Sequence, residues 1–364
     1  MWKYRSLLPE IKEHCLVSLG EGNTPLVASG KIAASLGLRH LYFKLESLNP
    51  SGSYKDRFAS AFISLMKSRG QKLCIATSSG NTGAALAAYS AAAGMDCVLV
   101  VVDGAPLPKI RQMQLYGARV CMVEGFGKSP EISGEVFKLL EKFTLSMKTP
   151  LPISAYRFCP DGMEGVQTMA YELLDSPEAA PEHVFCPAGG GGLTLAVAKG
   201  VISWGRLHNP GSLPKVHCVQ PEGNDTIATP LREGGLVAQP AQFASTSISG
   251  LQVPNILDGD EVIRVCRSLN GSGFTVKDQD IYYWHRRLAQ EEGIFAEPAG
   301  AVALAGLAKA VEEGRVGADE KIACIVTGNG FKDMASVERN FELPDIRGIP
   351  VDALHGIVEN IQIR

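Results

Sequence analysis

The sequence contains no apolar run long enough to cross a bilayer. Its longest, such as Cys97 to Val102, fall far short of the ~20 residues that a spanning helix needs. The N-terminus reaches Pro9, Glu10 and Lys12 without an uninterrupted apolar stretch, so no secretory signal is expected and a cytoplasmic location follows. Neither sign of charge prevails: Lys plus Arg number 35 and Asp plus Glu 38, with no run of one sign. The electrostatic footprint of a nucleic-acid or anionic-membrane partner is therefore missing, and a small molecule is the expected partner. Cys-x-x-Cys is absent, and the nine cysteines are scattered with no His at ligand spacing, so no metal site is expected. Cys74, Cys186 and Cys324 sit within apolar runs, where a reduced thiol behaves as a small hydrophobe.

What is present is an alternation of short apolar runs with helical segments. Residues 73–76, 97–102 and 119–123 read as strands, with helices over 82–93, from about Pro108, and over 131–142 between and after them. A second series has strands over 183–186, 215–219 and 321–326, and a helix over 193–204. The expected fold is α/β, with two open, largely parallel twisted sheets carrying helices on both faces. Prolines at 150 and 152 mark the expected boundary between the two units. Residues 223–260, rich in Gly, Pro, Ser and Thr, read as a loop-heavy excursion, more simply a surface connection than an active-site border.

Four segments carry the chemical signal. In Asn49-Pro-Ser-Gly-Ser-Tyr-Lys55-Asp-Arg57, a turn presents a lysine at the start of an amphipathic helix. A helix dipole disfavours a cation there, so Lys55 is either a solvated lysine or a desolvated amine primed to form an imine. Thr77-Ser78-Ser79-Gly80-Asn81-Thr82-Gly83 joins a strand to an Ala-rich helix. It gathers hydroxyls and backbone N–H groups suited to a carboxylate or phosphate, with helix capping as the plainer alternative. Gly189-Gly190-Gly191-Gly192 again lies between strand and helix. Each of these glycines costs up to ~1 kcal/mol in chain entropy relative to Ala, which close backbone approach to a phosphate accounts for. Its surroundings match neither a Walker loop nor the dinucleotide fingerprint. Last, Val326-Thr327-Gly328-Asn329-Gly330-Phe331-Lys332 ends a strand, where ligands of open α/β sheets bind, or forms a plain glycine turn.

In this order, over nearly the whole chain, these segments resemble the threonine-synthase branch of the fold-type II pyridoxal phosphate (PLP) enzymes. Gly20-Glu-Gly-Asn-Thr-Pro-Leu26 and Glu297-Pro-Ala-Gly-Ala301 are similar to further family segments. The resemblance implies that Lys55 carries PLP as a Schiff base and shuttles protons, and that Asn81 bonds the 3′-oxygen. It likewise implies that Gly189 to Gly192 cradle the cofactor phosphate and that Thr327 faces the pyridine nitrogen. Ser78, Ser79 and Thr82 are then expected to meet the substrate's carboxylate or phosphate. A small mobile domain of residues 51–150 is expected to close over a large domain of 1–50 plus 151–364, in a homodimer.

The expected activity is that of a lyase eliminating phosphate from O-phosphohomoserine, or from a related activated amino acid, and adding a nucleophile such as water. The alternative is a β-replacing or deaminating enzyme, similar to cysteate synthase or a serine/threonine dehydratase. The chain departs from the branch pattern at Gly162, where an Arg is usual, and at Asn329 and Phe331, where His and Leu are usual. Arg157, five residues before Gly162, is the cation expected to serve instead in binding substrate.

Overall fold

The computed structural model describes residues 1–105, 107–175, 180–341, 343, 346, 348–351 and 354. The strands are β1 Leu26–Ala28, β2 His40–Leu45, β3 Leu73–Thr77, β4 Asp96–Val101, β5 Arg119–Met122, β6 His183–Pro187, β7 Lys215–Pro221, β8 Gly273–Val276 and β9 Lys321–Val326. They form a six-stranded sheet ordered β1-β2-β9-β6-β7-β8 and a three-stranded sheet ordered β3-β4-β5. Among these nine strands the edge pair β1–β2 is antiparallel and the other pairings run parallel. Parallel strands need helical crossovers that bury both sheet faces, which is why β6 and β9 are apolar almost throughout.

One apolar cluster runs from the three-stranded sheet (Cys74, Leu99) through Phe58, Phe62 and Leu86 to one face of the large sheet at Val184 and Val216. The second covers the opposite face with Phe43, Phe185 and Phe274, beneath helices Asp278–Glu292 and Pro298–Glu312. The strands expected at 73–76, 97–102, 119–123, 183–186, 215–219 and 321–326 all occur, with ends shifted by at most two residues.

Helix Lys55–Ser68 is fixed by charge as well as by packing. Arg57 is completely buried and forks onto two carboxylates: Nε and Nη2 donate to Glu46 at 2.8 and 2.7 Å, while Nη1 and Nη2 each donate to Glu172 at 2.7 Å. Lys44 of β2 joins Glu172 at 2.7 Å. The network ties the helix that begins with Lys55 to the end of β2 and to helix Pro160–Leu174.

Candidate active site

The turn before Lys55 and the loop after β9 pair through their backbones. Tyr54 N–H donates to the Thr327 carbonyl at 3.0 Å, Asn329 N–H donates to the Gly52 carbonyl at 2.9 Å, and Ser53 bridges Gly328. This pairing sets Lys55 beside Thr327 on one wall of a cavity of about 550 Å³, a volume suited to a small ligand. Ser78 to Thr82, after β3, and Gly189 to Gly192, after β6, line the same space. Three strand-end loops from two sheets thus converge with the lysine, as the strand-end rule for open α/β folds anticipates.

Lys55 Nζ donates to Ser154 Oγ at 2.6 Å and sits 4.3 Å from the Tyr54 ring centroid. Burial pushes its amine down to about 7, against the opposing influence of Glu297 and Asp258. A lysine in this state supplies neutral amine near neutrality, unlike a solvated one.

The glycine loop leaves its N–H groups open. Among the described residues, those of Gly189, Gly190 and Gly191 meet no acceptor in the protein, whereas the Gly189 and Gly190 carbonyls accept from Gln220 Nε2 at 2.9 Å and Asp258 N–H at 3.2 Å. Gly191 has φ +95°, and a Cβ there would meet Val262 at 2.8 Å; one on Gly190 would meet Leu257 at 2.8 Å. With helix Gly192–His208 starting at the loop, the site suits a phosphate.

The serines do more local work than a pure ligand site requires. Ser78 Oγ accepts from Gly83 N–H at 3.0 Å, inside the first turn of helix Asn81–Ala93, and Ser79 Oγ accepts from Val102 N–H at 3.0 Å. The capping alternative therefore holds for Ser78, while each hydroxyl hydrogen stays available to donate. Thr82 Oγ1 lies 3.1 Å from Ser154 Oγ.

Glu297 carries more of the site than its motif suggested. Buried to 5% exposure, it accepts from Asn81 Nδ2 at 3.1 and 3.0 Å and from Thr327 Oγ1 at 3.1 Å. Asn81 Oδ1 is buried without a partner. Ser154 and Glu297 were missed because neither lies in a turn motif; Glu297 alone had a signal, directly before Pro298 at a helix start.

Two expectations are corrected. The guanidinium of Arg157 lies 6.0 Å from the Phe158 ring and Arg157 does not line the cavity, while Asp258 accepts from its backbone N–H at 3.0 Å and from that of Tyr156 at 2.8 Å. Residues 249–253 and Leu257, within the stretch read as surface connection, line the cavity.

The donor set fits a phosphorylated aldehyde: an amine with a lowered proton affinity, an N–H cradle for the phosphate, and a buried amide oxygen without a partner. The family described as pyridoxal-phosphate dependent enzyme matches residues 17–328. The threonine synthase of Methanocaldococcus jannaschii is 33% identical over 94% of this chain and 83% of its own length. That of Methanosarcina acetivorans is 32% identical over 97% and 85%. Among solved structures, maize serine racemase superposes with a TM-score of 0.70 at 24% identity, covering 93% of this chain and 92% of that one. The processed form of threonine deaminase isoform 2 from Solanum lycopersicum gives 0.69 at 24% identity, covering 92% and 82%. These two share the fold-type II architecture seen here, and the chain belongs to the pyridoxal-phosphate dependent enzyme family, in its threonine synthase branch.

Proposed function

We propose that this protein eliminates phosphate from O-phosphohomoserine and adds water, forming threonine. The observation that carries this reading is the meeting of Lys55, Asn81, Thr327 and the glycine loop around one cavity, in a chain alike to threonine synthases over nearly its full length. PLP, when bound, supplies an electron sink for charge developing on the substrate carbons. Lys55 would hold the cofactor's aldehyde carbon and, as a free amine, would take and return protons at the substrate's Cα and Cβ. Gly189 to Gly192 would hold the cofactor phosphate through their N–H groups, Asn81 would hold its 3′-oxygen, and Thr327 would meet its ring nitrogen as a neutral partner. Ser78, Ser79 and Thr82 orient the substrate carboxylate with their hydroxyl hydrogens.

A homodimer in the cytoplasm completes the reading. It is supported by the family resemblance alone. Light scattering on the purified protein decides the oligomer.

Product analysis tests the reaction. Offered O-phosphohomoserine, the loaded protein releases phosphate and threonine in equal amounts. Turnover of O-phosphoserine with release of phosphate, or of threonine to ammonia and a 2-oxo acid, with O-phosphohomoserine inert, would transfer the assignment to the β-replacing or the deaminating alternative respectively.

A further inference from the structure

A substrate that expels phosphate needs a cation at the departing group, and the position where one is usual holds none. A Cβ on Gly162 would meet Phe58 Cε2 at 2.6 Å, so position 162 is pressed against helix Lys55–Ser68 and offers the cavity nothing. Arg157 is turned onto Phe158. Lys332 borders a neighbouring cavity of about 330 Å³, its Nζ given to the Ser51 carbonyl at 2.8 Å and to Gln112 Oε1 at 3.0 Å.

Lys109 differs from all of these. It sits on helix Leu107–Leu115, follows the smaller sheet's β4, and lines both cavities. Its residue is only 8% exposed, yet its Nζ has a single neutral partner, Ser249 Oγ at 3.0 Å. No carboxylate forms an ion pair with it among the described residues. Buried ammonium groups are ordinarily paired with an anion, because burial removes hydration that a lone hydroxyl only partly replaces. Ser249, on the loop beyond the cavity from that helix, keeps its own hydrogen free to donate to the same anion. Apart from Lys55, Lys109 is the one cationic residue among the described residues lining the main cavity.

We infer that Lys109, together with the Ser249 hydroxyl, grips the anionic leaving group of the substrate in the place where Gly162 provides no side chain. The inference rests on the phosphorylated-substrate reading above. The step is electrostatic on the protein's side. The electron pair left at Cβ by proton removal forms the Cβ–Cγ double bond as the Cγ–O bond breaks; that bond's pair passes to oxygen, phosphate departs as the anion, and the Lys109 ammonium neutralises the charge that develops.

The test uses protein loaded with PLP, so that the glycine loop is already filled, and measures binding of inorganic phosphate by calorimetry beside O-phosphohomoserine and homoserine by the change in cofactor absorbance. Lys109→Met weakens phosphate and O-phosphohomoserine by roughly 10- to 100-fold, the range for losing a charge-assisted hydrogen bond, and leaves homoserine within about twofold. Lys109→Arg keeps most of the affinity, and Ser249→Ala loses roughly 3- to 10-fold, a neutral hydrogen bond's share. Should Lys109→Met misfold, Ser249→Ala and Lys109→Arg still decide. Phosphate affinity unchanged in Lys109→Met or in Ser249→Ala, or no phosphate binding by the loaded wild type, overturns the inference. If phosphate binding depends on Lys109 while O-phosphohomoserine is neither bound nor turned over, the anion grip stands and the choice of substrate fails.

Discussion

Lys55 Nζ and Ser154 Oγ, 2.6 Å apart, join the start of helix Lys55–Ser68 to the segment that Asp258 clamps beside the glycine loop. The amine is thereby held in the cavity wall, and burial brings it down to about 7. Neutral amine is the form that attacks an aldehyde. The rate at which cofactor-free protein takes up PLP should therefore rise with pH and reach half its maximum near pH 7, not near the 10.5 of an ordinary lysine. Stopped-flow absorbance across a pH series reads this directly, and a half-rise above pH 9 would refute the lowered amine.

Replacing Lys55 by Ala removes both cofactor attachment and proton transfer. Turnover should fall by at least ~10³-fold while the fold persists, since Lys55 lies outside the Arg57 network. Steady-state kinetics with circular dichroism on the same sample checks both halves.

The glycine cradle can be probed without touching a charge. Gly191 sits at φ +95° with Val262 and Ile227 against the place a Cβ would fill, so Gly191→Ala must shift the loop. PLP affinity, followed by fluorescence titration, should drop by roughly 10-fold or more, as expected when N–H bonds to a phosphate are misaligned. Unchanged affinity would place the phosphate elsewhere.

Arg57 holds Glu46 and Glu172 in the interior. Burial alone would raise these two carboxyls, but the Arg57 charge outweighs it and both titrate below their ordinary value of 4.5. The unfolded chain binds their protons more readily, so this stability is present above about pH 4.5 and is lost as pH falls. Arg57→Met should cost about 3–5 kcal/mol near neutrality, because two buried carboxylates lose a partner. The same change reverses the acid trend: the variant's deficit shrinks as the carboxylates protonate. Urea melts at several pH values measure both effects.

The parts of the site that were legible in the sequence are those built from local turn chemistry at strand ends. Ser78 to Thr82, the four glycines and Thr327 each follow a strand, where small residues and hydroxyls stand out, and Lys55 opens a helix after a Pro-Ser-Gly-Ser turn. Ser154, Glu297, Lys109 and Ser249 act through partners 30 to 216 residues away, and their neighbours in sequence do not identify those partners. β2 escaped notice for a related reason. Lys44 faces the interior there, breaking the apolar pattern, and the Thr24 carbonyl and the distant Glu172 make its burial tolerable. The loop-heavy stretch 223–260 was assigned to the surface because composition alone does not tell a cavity wall from a connection.

Borohydride reduction of the PLP-loaded protein followed by peptide mapping tests the central assignment most directly. Lys109 and Lys55 both line the cavity, so the outcome is not trivial. The pyridoxyl group is predicted on the peptide containing Lys55, with none on Lys109 or Lys332. A label on either of those lysines, or no label on Lys55, would contradict it.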